Sequence, residues 1–321
     1  MLNSASLSTT TDHDMLPTRS PASRSWRRFR ANKLAMGSAI FLLGLMVATV
    51  ATLPITSAGY DAQTLSLNRQ PPSWAHIGGY DALGRDMMQR CLFGGLISLS
   101  VGIGAALLSV TIGVLWGAIA ALAGGRVDNA MMRIVDILYG LPYILLVILL
   151  KVSFERPLTE LVQWSELFED RNDAQVANIL ILLIAIGAVS WLTMARVIRG
   201  QVLSLREMPF VEAARAAGVG PVRILVRHLL PNLVGPIVVY ATLTVPQAIL
   251  QESFLSFLGI GVAKPIPTWG SLAADGVAAI NTVVSFWWML FYPCLFLGIT
   301  LLALNFVGDG LRDAFDPKTT R

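Results

Sequence analysis

Residues 92–123 read LFGGLISLSVGIGAALLSVTIGVLWGAIAALA. The run carries no charged side chain and exceeds the ~20 residues a helix needs to cross roughly 30 Å of hydrocarbon. It therefore reads as a membrane-spanning helix with length to spare for tilt or a protruding turn. Small residues recur four apart within it: Ser98 and Gly102, Ser100 and Gly104, Gly113 and Gly117. Such pairs let helix backbones approach closely where lipid offers no hydrophobic drive between helices. The run should pack tightly against a neighbour, either in this chain or in another subunit.

Working outward, five further runs have the same character: about 34–56, 130–151, 176–195, 231–258 and 286–308. The fifth span, like the second, is overlong, with room for a kink at Pro246. The 321 residues are 55% hydrophobic and 14% charged, with mean hydropathy +0.64. A soluble domain carries about 25% charged residues, so the chain reads as an all-α membrane protein of six transmembrane helices. Most of the 24 Lys and Arg fall in the segments sharing a side with the N-terminus, among them Arg27, Arg28, Arg30, Arg196, Arg199, Arg215 and Arg223. By the positive-inside bias that side, holding both termini, is cytoplasmic.

Residues 1–30 read as a disordered cytoplasmic tail, rich in Ser, Thr, Pro and Asp up to 25. Residues 31–56 form the first transmembrane helix, with no small-residue cleavage site at its end, so it is expected to stay as an anchor. Residues 57–90 form a periplasmic segment, polar and irregular around Pro71-Pro72. Residues 91–308 hold the five-helix core, with a periplasmic insert at 153–175 and a cytoplasmic loop at 196–230. Residues 309–321 are a cytoplasmic tail. The acidic insert has Leu158, Leu161, Val162, Leu167 and Phe168 near helical spacing, which predicts a short amphipathic helix lying on the outer interface.

The cytoplasmic loop contains Glu212-Ala-Ala-Arg-Ala-Ala-Gly218 and Pro221 before the apolar run resumes at Pro231. Glu207–Ala217 has high helix propensity. Gly218 supplies a stop and Pro221 suits the first position of a following helix. The alanines give a slender face that fits a groove of another protein, and Glu212 with the arginines can fix register. A DNA-binding helix-turn-helix shares this pattern, but spans on both sides argue against it. Intramembrane charge is sparse. Glu252 sits late in the fifth span, near the outer interface, as a solvated or snorkelling carboxylate. Glu252 and Gln247 are the candidates for the pathway. Arg133 and Asp136, three apart, are placed to pair with each other, and Asp128 is placed to cap the helix after Gly124-Gly125. No Gly-Lys-Ser/Thr phosphate loop occurs, His13, His76 and His228 share no metal-like spacing, and Cys91 and Cys294 read as small apolar packing residues. The chain is expected to be no enzyme and to bind no metal or cofactor itself.

The loop resembles the EAA loop of ABC importer permeases: Glu212, Ala213, Ala214, Gly218, Leu230 and Pro231 match in spacing, with His228 where that family has Ile. Gly79, Asp81, Gly84, Arg85 and Asp86 resemble a segment of the dipeptide/oligopeptide (peptide/nickel) branch, with Tyr80 in place of Thr. Asp128, Arg133, Asp136, Leu141 and Pro142 fit the same branch. So do Leu255–Gly259 with Pro267–Gly270, and Gly308–Asp313 with Asp316-Pro317. The resemblance spans about residues 30–318 and is to the C-type permease subunit, though the 153–175 insert is longer than that branch has. It implies a non-catalytic, multi-pass subunit of the bacterial inner membrane, of type I importer fold. Glu212, Ala213, Ala214, Arg215, Ala217, Gly218 and Pro221 would couple to an ATPase. Gly84, Arg85, Asp86, Asp128, Arg133 and Asp136 would be structural. The implied partners are a B-type permease forming a heterodimer, two ABC ATPase subunits that bind ATP and Mg, a periplasmic or lipid-anchored peptide-binding protein and the lipid membrane, with no nucleic acid. The same machinery importing nickel or another small solute, a stand-alone channel or carrier, and a membrane anchor or assembly factor are the alternatives.

Overall fold

A computed structural model of the chain describes residues 21–164, 173–280 and 284–315. In chain order the helices are α1 (Pro21–Ala31), α2 (Lys33–Ala51), α3 (Leu53–Gly59), α4 (Met87–Ala123), α5 (Gly125–Tyr139), α6 (Tyr143–Trp164) and α7 (Asp173–Arg206). They continue as α8 (Pro209–Ala216), α9 (Pro221–Ile224), α10 (Leu230–Phe257), α11 (Trp269–Ala278) and α12 (Trp288–Phe315). Among the described residues the only β pairing is the isolated bridge Tyr80–Asp86. By length and composition α2, α4, α7, the continuous 221–257 helix and α12 can each cross a membrane. The α5–α6 pair, bent by 99°, brings the number to six when counted as one broken span.

The centre of the bundle is the seam between α4 and α7, and the small residues of α4 explain it. A Cβ on Gly117 would fall 2.4 Å from the Ala195 carbonyl oxygen and 3.0 Å from the Arg199 amide nitrogen. Gly113 meets Met194, Gly104 meets Leu183, and Gly102 meets Ile249 of α10. The predicted tight packing is therefore internal to the chain, although Ser100 is exposed. Trp116 and Trp191 meet edge to face in the same seam, with ring centroids 5.0 Å apart.

Three expectations are corrected. The tail drawn to residue 30 is helical from Pro21, because Phe29 is buried against Ala35 and Ala314 and stacks on Trp26; residues 1–20 lie outside the described residues. No helix runs through 130–151. Pro142 has no amide hydrogen to donate and disfavours helical backbone at Leu141, so α5 ends at Tyr139 with Gly140 as its C-cap, and the chain turns sharply. The predicted interfacial helix within 153–175 is instead a continuation of α6 as far as Trp164; residues 165–172 lie outside the described residues.

What α5 does follows from its ion pairs. Asp128 takes a bidentate bond from Arg199 (2.5 and 2.6 Å), and Asp136 is bound by Arg196 at 2.8 Å. Asp128 and Asp136 are about 12 Å apart along α5, whereas Arg196 and Arg199 are about 4.5 Å apart along α7, at ~1.5 Å per residue. Helix α5 therefore lies across the C-terminal end of α7, and α6 bends away from α5 by 99°. This corrects two expectations. Gly124 is the residue at the N-cap, so Asp128 is no cap, and the Asp136 carboxylate is engaged by α7 rather than by Arg133.

Candidate functional site

The first site is the elbow between α7 and α10. Met208 adopts extended backbone as N-cap, and Pro209 opens α8 with its ring already set for helix. Helix α8 is anchored by Val211, which is fully buried in a cluster with Ala121, Ile198, Val202, Ile224, Leu225 and Leu229. Arg206 also donates to the Ala121 carbonyl. Gly218 has φ +78°. Its N–H bonds to the Arg215 carbonyl at 2.9 Å, and the Val219 N–H bonds to the Ala214 carbonyl at 3.1 Å. This is the Schellman arrangement, which needs a left-handed residue that only glycine adopts cheaply. Pro221 then starts α9. A π-helical turn at Leu225–Leu229, containing His228, feeds α10; such turns concentrate at functional sites.

Of the sequence-selected coupling residues, Glu212, Ala213, Arg215, Ala217, Gly218 and Pro221 are exposed, while Ala214 is half-buried against the anchoring cluster. The elbow thus offers a low-relief face on a rigid base. Val211 ties that face to a buried cluster with members on α4, α7 and α10.

The second site is a cleft of about 540 Å³ beside the α5–α6 turn, walled by α7 and α10. Its polar lining is uncharged and includes Tyr143, Ser190, Thr193, Tyr240, Thr244, Gln247 and Gln251. Tyr143 donates to Gln251 Oε1 at 2.6 Å, and the Ser190 hydroxyl approaches the same oxygen at 3.4 Å. Gln247 lines this cleft. Glu252 does not. It is fully buried, accepting from Ser256 at 2.7 Å and Ser253 at 3.3 Å, with Ser98 and Thr268 also bonded to it. Consecutive helix residues point about 100° apart, so while Gln251 faces the cleft, Glu252 faces α4 and the start of α11. The expectation of a solvated or snorkelling carboxylate is overturned. Tyr143, Ser190 and Gln251 went unnoticed in the sequence, although Tyr240, Thr244, Gln247 and Gln251 form a polar stripe at spacings of four, three and four.

The Gly84-Arg85-Asp86 segment builds a cap over the start of α4. Gly84, at φ +69°, lets the Thr64 carbonyl approach to 1.9 Å from where a Cβ would stand. Asp81 accepts from the amides of Leu83 (2.8 Å) and Arg85 (3.0 Å), from the Arg85 side chain (2.7 Å) and from Arg90. Burial pushes the Asp81 carboxyl up, but the Arg85 amide bond and the Arg90 charge outweigh it and hold it below the usual carboxylate value. Asp86 caps α4 through the Gln89 N–H at 3.0 Å and meets His76 at 3.0 Å. These residues fix the start of α4. They do not line the cleft.

Residues 113–321 match the family described as binding-protein-dependent transport system inner membrane component. The chain belongs to that family. Residues 20–72 of the permease match the N-terminal TM domain of oligopeptide transport permease C. Over 305 residues the permease is 42% identical to the dipeptide transport system permease protein DppC of Bacillus subtilis, covering 95% of this chain and 88% of that protein. Over 295 residues it is 43% identical to the oligopeptide transport system permease protein OppC of Haemophilus influenzae, covering 91% and 87%. Its fold is shared by a chain of the inward facing MetNI methionine ABC transporter, with TM-score 0.51 and 22% identity over 72% of this chain and 98% of that one. Membership in a binding-protein-dependent family replaces the reading of a stand-alone channel or carrier. The permease is a multi-pass membrane subunit of a transport system.

Proposed function

We propose that the permease is the C-type subunit of an ATP-driven importer of dipeptides or oligopeptides. It forms the translocation pathway with a B-type permease. A periplasmic or lipid-anchored binding protein delivers the peptide, and two ATPase subunits dock at the inner face. Both termini lie in the cytoplasm. The observation that carries this reading is the elbow, where Glu212, Ala213 and Arg215 are exposed on a helix whose single buried residue, Val211, ties it to three spans. A slender docked helix of this kind converts closure of a partner into rigid-body movement. The permease itself carries out no chemistry; ATP and Mg belong to the partner subunits.

Peptide is the assigned cargo over a nickel chelate because the relatives at 42–43% identity are named for dipeptide and oligopeptide transport. The uncharged cleft supports it. Hydroxyls and amides pair with peptide backbone groups without selecting a side-chain charge.

The test is co-purification of the assembled transporter, with uptake of labelled peptides in proteoliposomes. Gly218→Pro forces φ to about −65° where the turn needs +78°, and Glu212→Arg reverses the charge on the docking face. Each is expected to lower ATPase association at least about tenfold, the ~1.4 kcal/mol equivalent of losing one charged or well-shaped contact, with membrane insertion unchanged. Normal association and uptake in both variants would remove the elbow from the mechanism.

A further inference from the structure

Helix α6 leans on α7, yet two of its polar side chains reach to the α10 segment instead. Tyr143 bonds Gln251 in the cleft. Two turns farther along, about 12 Å away, the Lys151 ammonium donates to the carbonyls of Ile260 at 2.6 Å and Gly261 at 2.7 Å. Those carbonyls lie just past the end of α10, where the chain turns through Gly259 at φ +79° and the Ile260 N–H closes back on the Leu255 carbonyl at 2.9 Å. Lys151 is half-buried, and its charge is held by two backbone carbonyls of the turn that follows α10. Parting such a contact returns two carbonyls and an ammonium to water and strands no buried acid. That makes it suited to repeated opening.

We propose that Lys151 is a positioning residue for transport: a latch joining α6 to the outer end of α10, which keeps the cleft shut from the outer side until the two helices separate. The proposal rests on the transport function above. It goes beyond that function in naming the bond that holds one access route closed. A lysine that merely capped α10 would alter stability and leave access to the cleft unchanged.

The experiment uses the full transporter in sealed right-side-out vesicles without ATP. Cys91 and Cys294 are replaced by Ala, and Thr244→Cys on the cleft wall serves as reporter for a membrane-impermeant maleimide added outside. Lys151→Met is expected to raise the labelling rate about tenfold, in line with loss of a charged hydrogen bond, and Lys151→Arg to restore the original rate. An unchanged rate in folded Lys151→Met overturns the proposal, as does a raised rate that Lys151→Arg fails to restore. Should Lys151→Met fail to accumulate, Lys151→Gln, which can still donate one bond, is read by the same criterion with a smaller expected rise. Peptide uptake by the unaltered transporter in the same vesicles tests the transport reading separately. Its absence would refute that reading without touching the labelling result.

Discussion

Gly117→Ala adds one methyl group where the α7 backbone comes closest to α4. The new Cβ would stand 2.4 Å from the Ala195 carbonyl oxygen and 3.0 Å from the Arg199 amide nitrogen. Both are backbone atoms, so no rotamer change relieves the clash and α7 must retreat by about 1 Å to reach ordinary contact distance. Overpacking of this kind costs ~1–3 kcal/mol. The retreat also carries Arg199 away from Asp128, whose two bonds are 2.5 and 2.6 Å. That pair is partly exposed on the Arg199 side, so its loss adds only about 1 kcal/mol. Alanine regains up to ~1 kcal/mol of helix propensity over glycine. The balance is a loss of about 1–3 kcal/mol, which lowers Tm on the order of 5 °C for a chain of this size. Gly37→Ala and Gly298→Ala are the internal controls, because nothing lies within 4 Å of either added methyl; they should hold or raise Tm. Thermal unfolding of the purified permease in detergent, followed by tryptophan fluorescence, reads all three, since Trp116 and Trp191 sit in the affected seam. A Gly117→Ala protein melting with or above the unsubstituted one would refute the account of why α4 and α7 lie so close.

Other consequences are equally open to measurement. Asp81 titrates lower in the folded cap than in the unfolded chain, so its stabilisation is fully present above the unfolded value near 3.8 and is lost as pH falls through the lower folded value. Amide exchange over residues 78–90, corrected for its intrinsic pH dependence, should therefore show lost protection only below about pH 4; equal protection at pH 3 and pH 7 would show that the carboxylate does not hold the cap. In a double-mutant cycle, Asp128→Asn with Arg199→Gln should show coupling of about 1–2 kcal/mol, and additive effects would mean that α5 is held by apolar contacts such as Val135 alone. Gln251→Leu should slow peptide uptake severalfold, since it removes the acceptor shared by Tyr143 and Ser190, while ATPase association stays normal; unchanged uptake would take the cleft out of the pathway.

The parts of this fold that could be read from sequence are those governed by local rules. Span length is set by bilayer thickness, which is why the 92–123 run was recognisable at once. The seam partner of α4 was not named in advance, but its small residues were. The elbow was legible residue by residue because Gly218 and Pro221 have only a few backbone conformations open to them. The α5–α6 break was missed for the converse reason. Residues 130–151 contain enough apolar side chains to pass as one span, and Leu141-Pro142 served as a family signature when it was also a steric statement about the backbone. The ion pairs went astray because Asp128 and Asp136 choose partners sixty or more positions away, a choice no helix-local spacing rule contains.

Helical phase is the one quantity that separates the cleft-facing candidate from the packed one, and it is recoverable from the sequence. Ile249, Glu252, Ser253 and Ser256 fall at i, i+3, i+4 and i+7, the spacing of a single helix face. Ile249 is the residue that Gly102 of α4 approaches, which marks this as the packed face. A carboxylate on a packed face must find donors, and Ser256, one turn later, is placed to be one. Tyr240, Thr244, Gln247 and Gln251 form a stripe on another side of α10, and polar residues aligned along a span without charge are the mark of a wetted wall rather than a lipid contact. Weighing the two faces against each other, instead of judging Glu252 by its charge and depth alone, assigns Gln247 and Gln251 to the cleft and Glu252 to the scaffold behind it.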